Sequence, residues 1–222
     1  MKTHRNPVLR AAALLLACAG APLLPAAEWQ SLFDGKTFAG WTFDVKDGSA
    51  PEAIWSTRDG VLVVDGQDKP PGVIRTTESY ENYELELEWR WPGKPGNCGV
   101  LVHCSTPRRM SVWPQSLEVQ LAHENAGDFW MIGETIVVPE TQISENPKQD
   151  RRRLNLTDDS EKPAGEWNTM RIVARGDTVT VHVNGERVNH GTDCSAAEGA
   201  IALQAEGADI EFRNIRLRST GE

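Results

Sequence analysis

Within Leu117-Glu118-Val119-Gln120-Leu121-Ala122, the apolar Leu117, Val119 and Leu121 share one side of an extended chain. Glu118 and Gln120 therefore point together to the other side, about 7 Å apart along the strand. On a central strand they would form the floor of a groove, where a carboxylate beside an amide can bind hydroxyl groups or move a proton. On an edge strand both would simply face water. His123 follows directly and opens a long irregular stretch, which makes it a candidate ligand contact.

Other residues pose the same choice. In Tyr83-Glu84-Leu85-Glu86-Leu87-Glu88-Trp89-Arg90-Trp91 the odd positions are apolar and the even ones charged. Glu84 and Glu86 read as a solvated sheet face. Glu88 and Arg90 lie nearer the strand end and the turn 92–97, where a carboxylate and a guanidinium can orient one another at a groove wall. In Gly99-Val100-Leu101-Val102-His103-Cys104 both faces carry apolar residues, as in an inner strand, and His103 falls on the face of Leu101. It reads either as a structural histidine or as a ligand contact. Trp113, Phe129 and Trp130 stand in irregular segments, where rings either pack on a small molecule or seal loops onto the body. No spacing among Glu118, His103 and His123 demands a metal, and neither metal nor cofactor is expected.

The elements that must hold these residues are strands. Period-two patterning recurs at 61–64, 83–91, 99–104, 117–122, 169–174, 178–183, 200–204 and 210–217, and no long segment has helical spacing. Asn184-Gly185 and Asp59-Gly60 supply the positive φ angles of tight hairpins. Many short strands with few crossover helices predict an all-β sandwich or barrel of about ten or more antiparallel strands. The segments 106–115 and 123–163 are less regular, and the second, longer than a normal connection and holding Asn125-Ala126-Gly127-Asp128-Phe129-Trp130, is the expected binding loop.

With 222 residues, 39% hydrophobic and 25% charged, the chain can build a core and does not read as disordered. Its formal net charge of −9 argues against nucleic-acid binding, and Arg151-Arg152-Arg153 reads as a solvated loop. Lys2, Arg5 and Arg10 followed by the apolar run 11–24 read as an export signal, not a membrane span, with cleavage after Ala27 and one domain over 28–222. An exported product in the periplasm or outside the cell is expected; a second reading has Cys18 lipidated. Cys98, Cys104 and Cys194 remain, an odd number that fits buried small side chains better than a disulfide framework. The motifs of serine acyl transfer, phosphate loops, dinucleotide binding and zinc proteases do not occur.

Five segments in order carry a family resemblance: Leu32-Phe33-Asp34-Gly35-Lys36-Thr37-Phe38-Ala39-Gly40-Trp41, Tyr83 to Arg90, Lys162-Pro163-Ala164-Gly165-Glu166-Trp167-Asn168, Val183-Asn184-Gly185 and Ile210-Glu211-Phe212-Arg213-Asn214-Ile215. Together the chain resembles the 3-keto-disaccharide hydrolases over about residues 29–218. The resemblance implies a concanavalin A-like jelly-roll β-sandwich of two antiparallel sheets, acting on glycosides whose C3 hydroxyl has been oxidised to a ketone. Glu118 and Gln120 match the family strand, though an aromatic position is lost. Asn97-Cys98-Gly99 stands where an asparagine-serine-glycine turn is usual, and His123-Glu124-Asn125 replaces an Asp-Asn pair.

The implied chemistry is elimination followed by hydration. A C3 ketone acidifies C2–H, a base removes that proton, and the enolate expels the C1 oxygen. Glu118 would be base or acid, His123 or His103 its partner, and Arg90 or Gln120 the stabiliser at oxygen. Glu88, Asn97, Trp113, Asn125 and Trp130 complete the expected contacts to a carbohydrate. Two alternatives stay open: a lectin-like carbohydrate-binding protein without turnover, aided or not by Ca²⁺, and a conventional glycoside hydrolase pairing Glu88 with Glu118.

Overall fold

The computed structural model describes residues 27–157 and 159–221; residues 1–26, which include Cys18 and most of the stretch read as an export signal, lie outside them. Two antiparallel sheets pack face to face. The front sheet runs Arg152–Arg153, Phe129–Ile132, Ser116–Gln120, Gly99–Cys104, Glu198–Ala205, Gly72–Thr76, Trp41–Val45, with Tyr80–Glu81 on the flank of Glu198–Ala205. The back sheet runs Glu186–Gly191, Thr178–Val183, Asn168–Arg175, Tyr83–Arg90, Ile210–Ser219, Val61–Val64, Trp55–Arg58, with Gln30–Ser31 beside Ile210–Ser219. Of the sandwich and the barrel that the alternating strands allow, the chain forms the sandwich, the jelly roll that the family resemblance implied, and each sheet buries one apolar face.

The core follows the pleat. Tyr83, Leu85, Leu87 and Trp89 from the back sheet meet Val100, Val102, Leu117, Val119, Ile201 and Leu203 from the front sheet. Both anticipated hairpins form, Asn184 and Gly185 at φ 50° and 88° and Asp59 and Gly60 at 51° and 81°. Cys98, Cys104 and Cys194 are free thiols, the first two buried. Among the described residues no helix is long and apolar enough to cross a membrane.

The charged stripe of Tyr83–Arg90 lies on the outer face of the back sheet. There it forms a cross-strand ladder: Glu84 accepts from Arg171 and Arg218, Glu86 from Arg216, and Glu88 from Arg213, while Arg90 donates to Glu211 at 2.6 Å. Arg90 and Arg213 also stack on Trp167, with guanidinium carbons 4.6 and 4.1 Å from the ring centroid. The core, about 10 Å thick between such sheets, separates Glu88 and Arg90 from Glu118. They cannot wall the same groove, which removes the Glu88–Glu118 pair and Arg90 as oxygen stabiliser.

Candidate functional site

The outer face of the front sheet carries a cavity of about 130 Å³ lined by Asn97, Met110, Trp113, Glu118, Gln120, Trp130, Arg151 and Glu206. Its floor is set by strand register. Glu118 sits opposite Leu101 on one neighbouring strand and opposite Trp130 on the other, and Gln120 sits opposite Gly99. The expected shared direction of Glu118 and Gln120 holds, and their strand is internal, so both face the pocket and not open water. Gln120 accepts the backbone N–H groups of Leu121 and Ala122 at 2.9 Å on its carbonyl oxygen, which leaves its NH₂ as the end free to donate.

Gly99 makes room for this floor. A Cβ there would lie 2.5 Å from Glu118 Oε1 and 2.6 Å from Gln204 Oε1. Gln204 is fully buried, and neither of its amide atoms has a hydrogen-bond partner, nor does Glu118 Oε1. A cluster of orphaned buried polar atoms is costly unless a proton or a ligand completes it.

Electrostatics agree. Burial pushes the Glu118 carboxyl up to about 8, with the Glu206 charge adding to the rise and the Arg151 charge opposing it. Burial alone lifts Glu206 to about 7. Two carboxyls titrating near neutrality beside a single lining guanidinium, Arg151, are poised to exchange protons with a bound molecule.

The same shift has a consequence for stability. The folded chain holds the Glu118 proton from its ordinary 4.5 up to about 8, whereas the unfolded chain releases it. Stability is therefore lost as pH rises through that window. The midpoint of thermal unfolding should fall between about pH 5 and about pH 9, and Glu118→Gln should flatten the fall and raise the midpoint at the alkaline end by several degrees. Thermal scans of both proteins across pH provide the check.

Two walls complete the pocket. On one side the segment 105–115 folds back, Met110 and Trp113 exchanging backbone hydrogen bonds at 3.1 and 3.0 Å, and Trp113 becomes almost fully buried. On the other side Trp130 stands half-buried with the Arg151 guanidinium carbon 5.6 Å from its ring centroid. Arg151 is fixed by donating to the Met131 carbonyl at 3.1 Å, and Arg152 beside it donates to the buried Asp128 at 2.6 Å. The arginine run, expected as a solvated loop, places Arg151 at the site from the turn just before the two-residue edge strand Arg152–Arg153. Asp128→Ala should lower stability by about 3 kcal/mol, because a buried charge loses its partner, and urea unfolding would measure it.

The histidines lie elsewhere. His123 is half exposed at the outside of the pocket, 3.3 Å from Glu161. Asn125 also lies behind the wall, accepting from Arg152 and donating to the His123 carbonyl at 2.9 Å. His103 adopts φ 56° at a bulge where the pairing with Glu198–Ala205 slips. The slip puts Cys104, rather than His103, on the face of Leu101, and the imidazole packs edge-on against Tyr83 at 6.1 Å between centroids. Its pKa is pushed down to about 4 by burial.

Neither His103 nor His123 lines the pocket, and Glu206 takes the place beside Glu118. Glu206, Gln204, Arg151 and Met110 were not among the sequence candidates. The signal for two of them was present: Ile201, Leu203 and Ala205 point inward, so Gln204 and Glu206 point outward by the argument that selected Glu118 and Gln120. No group of three or more His, Cys, Asp or Glu side chains that could hold a metal ion occurs among the described residues.

The fold and site define a concanavalin A-like jelly-roll sandwich with a carboxylate-floored pocket on the outer face of one sheet. The chain belongs to the family described as the 3-keto-alpha-glucoside-1,2-lyase-like domain, whose model matches residues 28–218. It is 27% identical to a 3-keto-disaccharide hydrolase of Bacteroides thetaiotaomicron, over 85% of this chain and 77% of that protein. A crystal structure described as a candidate glycosyl hydrolase from Parabacteroides distasonis superposes with a TM-score of 0.61 at 27% identity, covering 86% of this chain and 99% of that one. Carbohydrate binding module CBM66 from Bacillus subtilis, 12% identical, shares the fold with a TM-score of 0.57 over 86% of this chain and all of that one.

Proposed function

We propose that this protein cleaves the glycosidic bond of 3-keto-glycosides by elimination across C1–C2 followed by hydration, Glu206 and Glu118 sharing the proton transfers. One observation carries the reading: two carboxyls raised towards neutrality by burial, Glu118 and Glu206, line one small pocket with Arg151 and two tryptophans. A ketone at C3 makes C2–H acidic enough for a carboxylate of such raised basicity. A conventional retaining glycosidase instead relies on a carboxylate that stays ionised as the nucleophile.

The pair titrates as a unit, and near neutral pH it holds about one proton. The deeper Glu118 keeps that proton, and Glu206 supplies the base. Glu206 takes the proton from C2, and the C–H electron pair forms the enolate, whose charge develops on O3. Arg151 and the Gln120 NH₂ are the donors available to stabilise that oxygen. The enolate then collapses: C1=C2 forms, the C1–O bond breaks, and the departing oxygen takes the Glu118 proton. Water adds to C1 of the resulting enone and C2 regains a proton, giving the 3-keto sugar. Trp113 and Trp130 present faces for the C–H surfaces of the ring. Export, which the leader implies, would place the reaction outside the cytoplasm.

Incubation with a 3-keto-disaccharide and its unoxidised parent tests the proposal. Release of monosaccharides from the first alone is expected. Binding of both without release would make the protein a lectin, and cleavage of the parent would make it a conventional hydrolase.

A further inference from the structure

A second hollow opens on the same outer face, over the strand Gly72–Thr76, three strands away from Ser116–Gln120, and the edge strand Trp41–Val45. Trp41, Val45 and Ile74 point into the core, so Thr42, Asp44, Val73 and Arg75 point outward from this pair. The segment 105–115 passes over them with Pro107, Arg108, Val112 and Pro114, and the cavity left between is about 260 Å³.

The segment is held in place on both sides. Arg108 Nε donates to Asp44 Oδ2 at 3.1 Å and its Nη2 to the Val45 carbonyl at 2.9 Å, which clamps the segment to the edge strand. At its ends the Ser105 N–H donates to the Gln115 carbonyl at 2.9 Å and the Gln115 N–H to the Thr106 carbonyl at 2.7 Å. A hollow with a fixed roof is preformed, so a ligand does not have to order it on binding.

The charge in this hollow is unbalanced. Arg108 is paired with Asp44. Arg75 has no ion pair among the described residues, and its guanidinium makes one hydrogen bond, to the Ser105 carbonyl, at a long 3.4 Å. Glu198, which borders a neighbouring hollow together with Arg75, is exposed and forms no ion pair with it. One half-buried guanidinium is therefore left uncompensated in a chain of net charge −9. Its planar fork matches a carboxylate through two parallel hydrogen bonds. Beside it Val73 and Val112, 3% and 1% exposed, and Pro114 supply apolar walls. A neutral sugar would leave the fork unpaired; a compact apolar body bearing one carboxylate satisfies fork and walls together.

We propose that this cavity is a second ligand site, separate from the Glu118 pocket, and that it takes a small monocarboxylate with an apolar ring. The carboxylate sits on Arg75 and the ring between Val73, Val112 and Pro114. This assignment does not depend on the chemistry proposed for Glu118.

Isothermal titration of the intact protein with benzoate, at neutral pH and low salt, tests it. Benzamide and benzylammonium keep the ring and lack the negative charge. Benzoate is expected to bind at least ~10-fold more tightly than either, the difference a charge-assisted pair supplies. Arg75→Gln should weaken benzoate by about 10- to 100-fold for the same reason. Arg151→Gln, which removes the guanidinium of the Glu118 pocket three or more strands away, should leave the affinity within about threefold. The comparison of the three ligands on the wild type decides the matter even if Arg75→Gln does not fold. Absence of benzoate binding at millimolar concentration, equal binding of benzoate and benzamide, or a loss of affinity in Arg151→Gln and not in Arg75→Gln would each overturn the proposal. Phenyl phosphate binding more than about tenfold tighter than benzoate would overturn the choice of a carboxylate.

Discussion

Glu118→Gln will reduce kcat on a 3-keto-disaccharide by about 10²- to 10⁴-fold, the range spanned by a single general acid or base, while the substrate still binds. Glutamine keeps the size and polarity of the buried group but carries no transferable proton. Glu206→Gln should do comparable damage from the other half of the reaction. In the wild type, activity should rise as Glu206 ionises near its raised value of about 7 and fall as Glu118 gives up its proton near about 8, leaving a narrow optimum between them. The variant separates catalysis from structure, because the Glu118→Gln protein should be more heat-stable than the wild type at alkaline pH while nearly inactive.

Gly99→Ala will cost about 100-fold in kcat/KM without unfolding the protein, since displacements near 1 Å at a catalytic group have effects of that size. Gly99 has no positive φ and lies mid-sheet, so alanine suits its backbone. The added methyl nonetheless collides with Glu118 Oε1, Glu118 Cγ and Gln204 Oε1, all within 2.8 Å. Circular dichroism should be unchanged. Full activity in Gly99→Ala would show that the position of Glu118 is unimportant to turnover.

Much of this architecture was legible in the alternation of side chains. Where polar and apolar residues strictly alternate, as in Tyr83–Arg90 and Ser116–Gln120, the pleat decides which face is buried, and both strands formed as expected. That logic placed Glu118 and Gln120 together and, with the flanking segments, brought Asn97, Trp113 and Trp130 to the same pocket. It could not say which sheet a stripe belongs to. Glu88 and Arg90 therefore looked like site residues although they face away across the core, paired with Arg213 and Glu211.

The histidines mislead for a local reason. A single bulge next to His103 reverses the facing of the residues after it, and nothing in the composition of Gly99-Val100-Leu101-Val102-His103-Cys104 announces a φ of 56°. The arginine run was hidden by its charge. Its two-residue strand is held by Asp128, 24 positions earlier, and that pairing is a tertiary fact no local pattern contains.

The central claim is that the C2 proton leaves before the glycosidic bond breaks. Single-turnover cleavage of a 3-keto-disaccharide carrying deuterium at C2 of the oxidised ring measures this directly. The account predicts a primary isotope effect well above unity on cleavage in the wild type, with the parent disaccharide left intact. Equal rates for the protium and deuterium substrates, together with cleavage of the unoxidised parent, would contradict it.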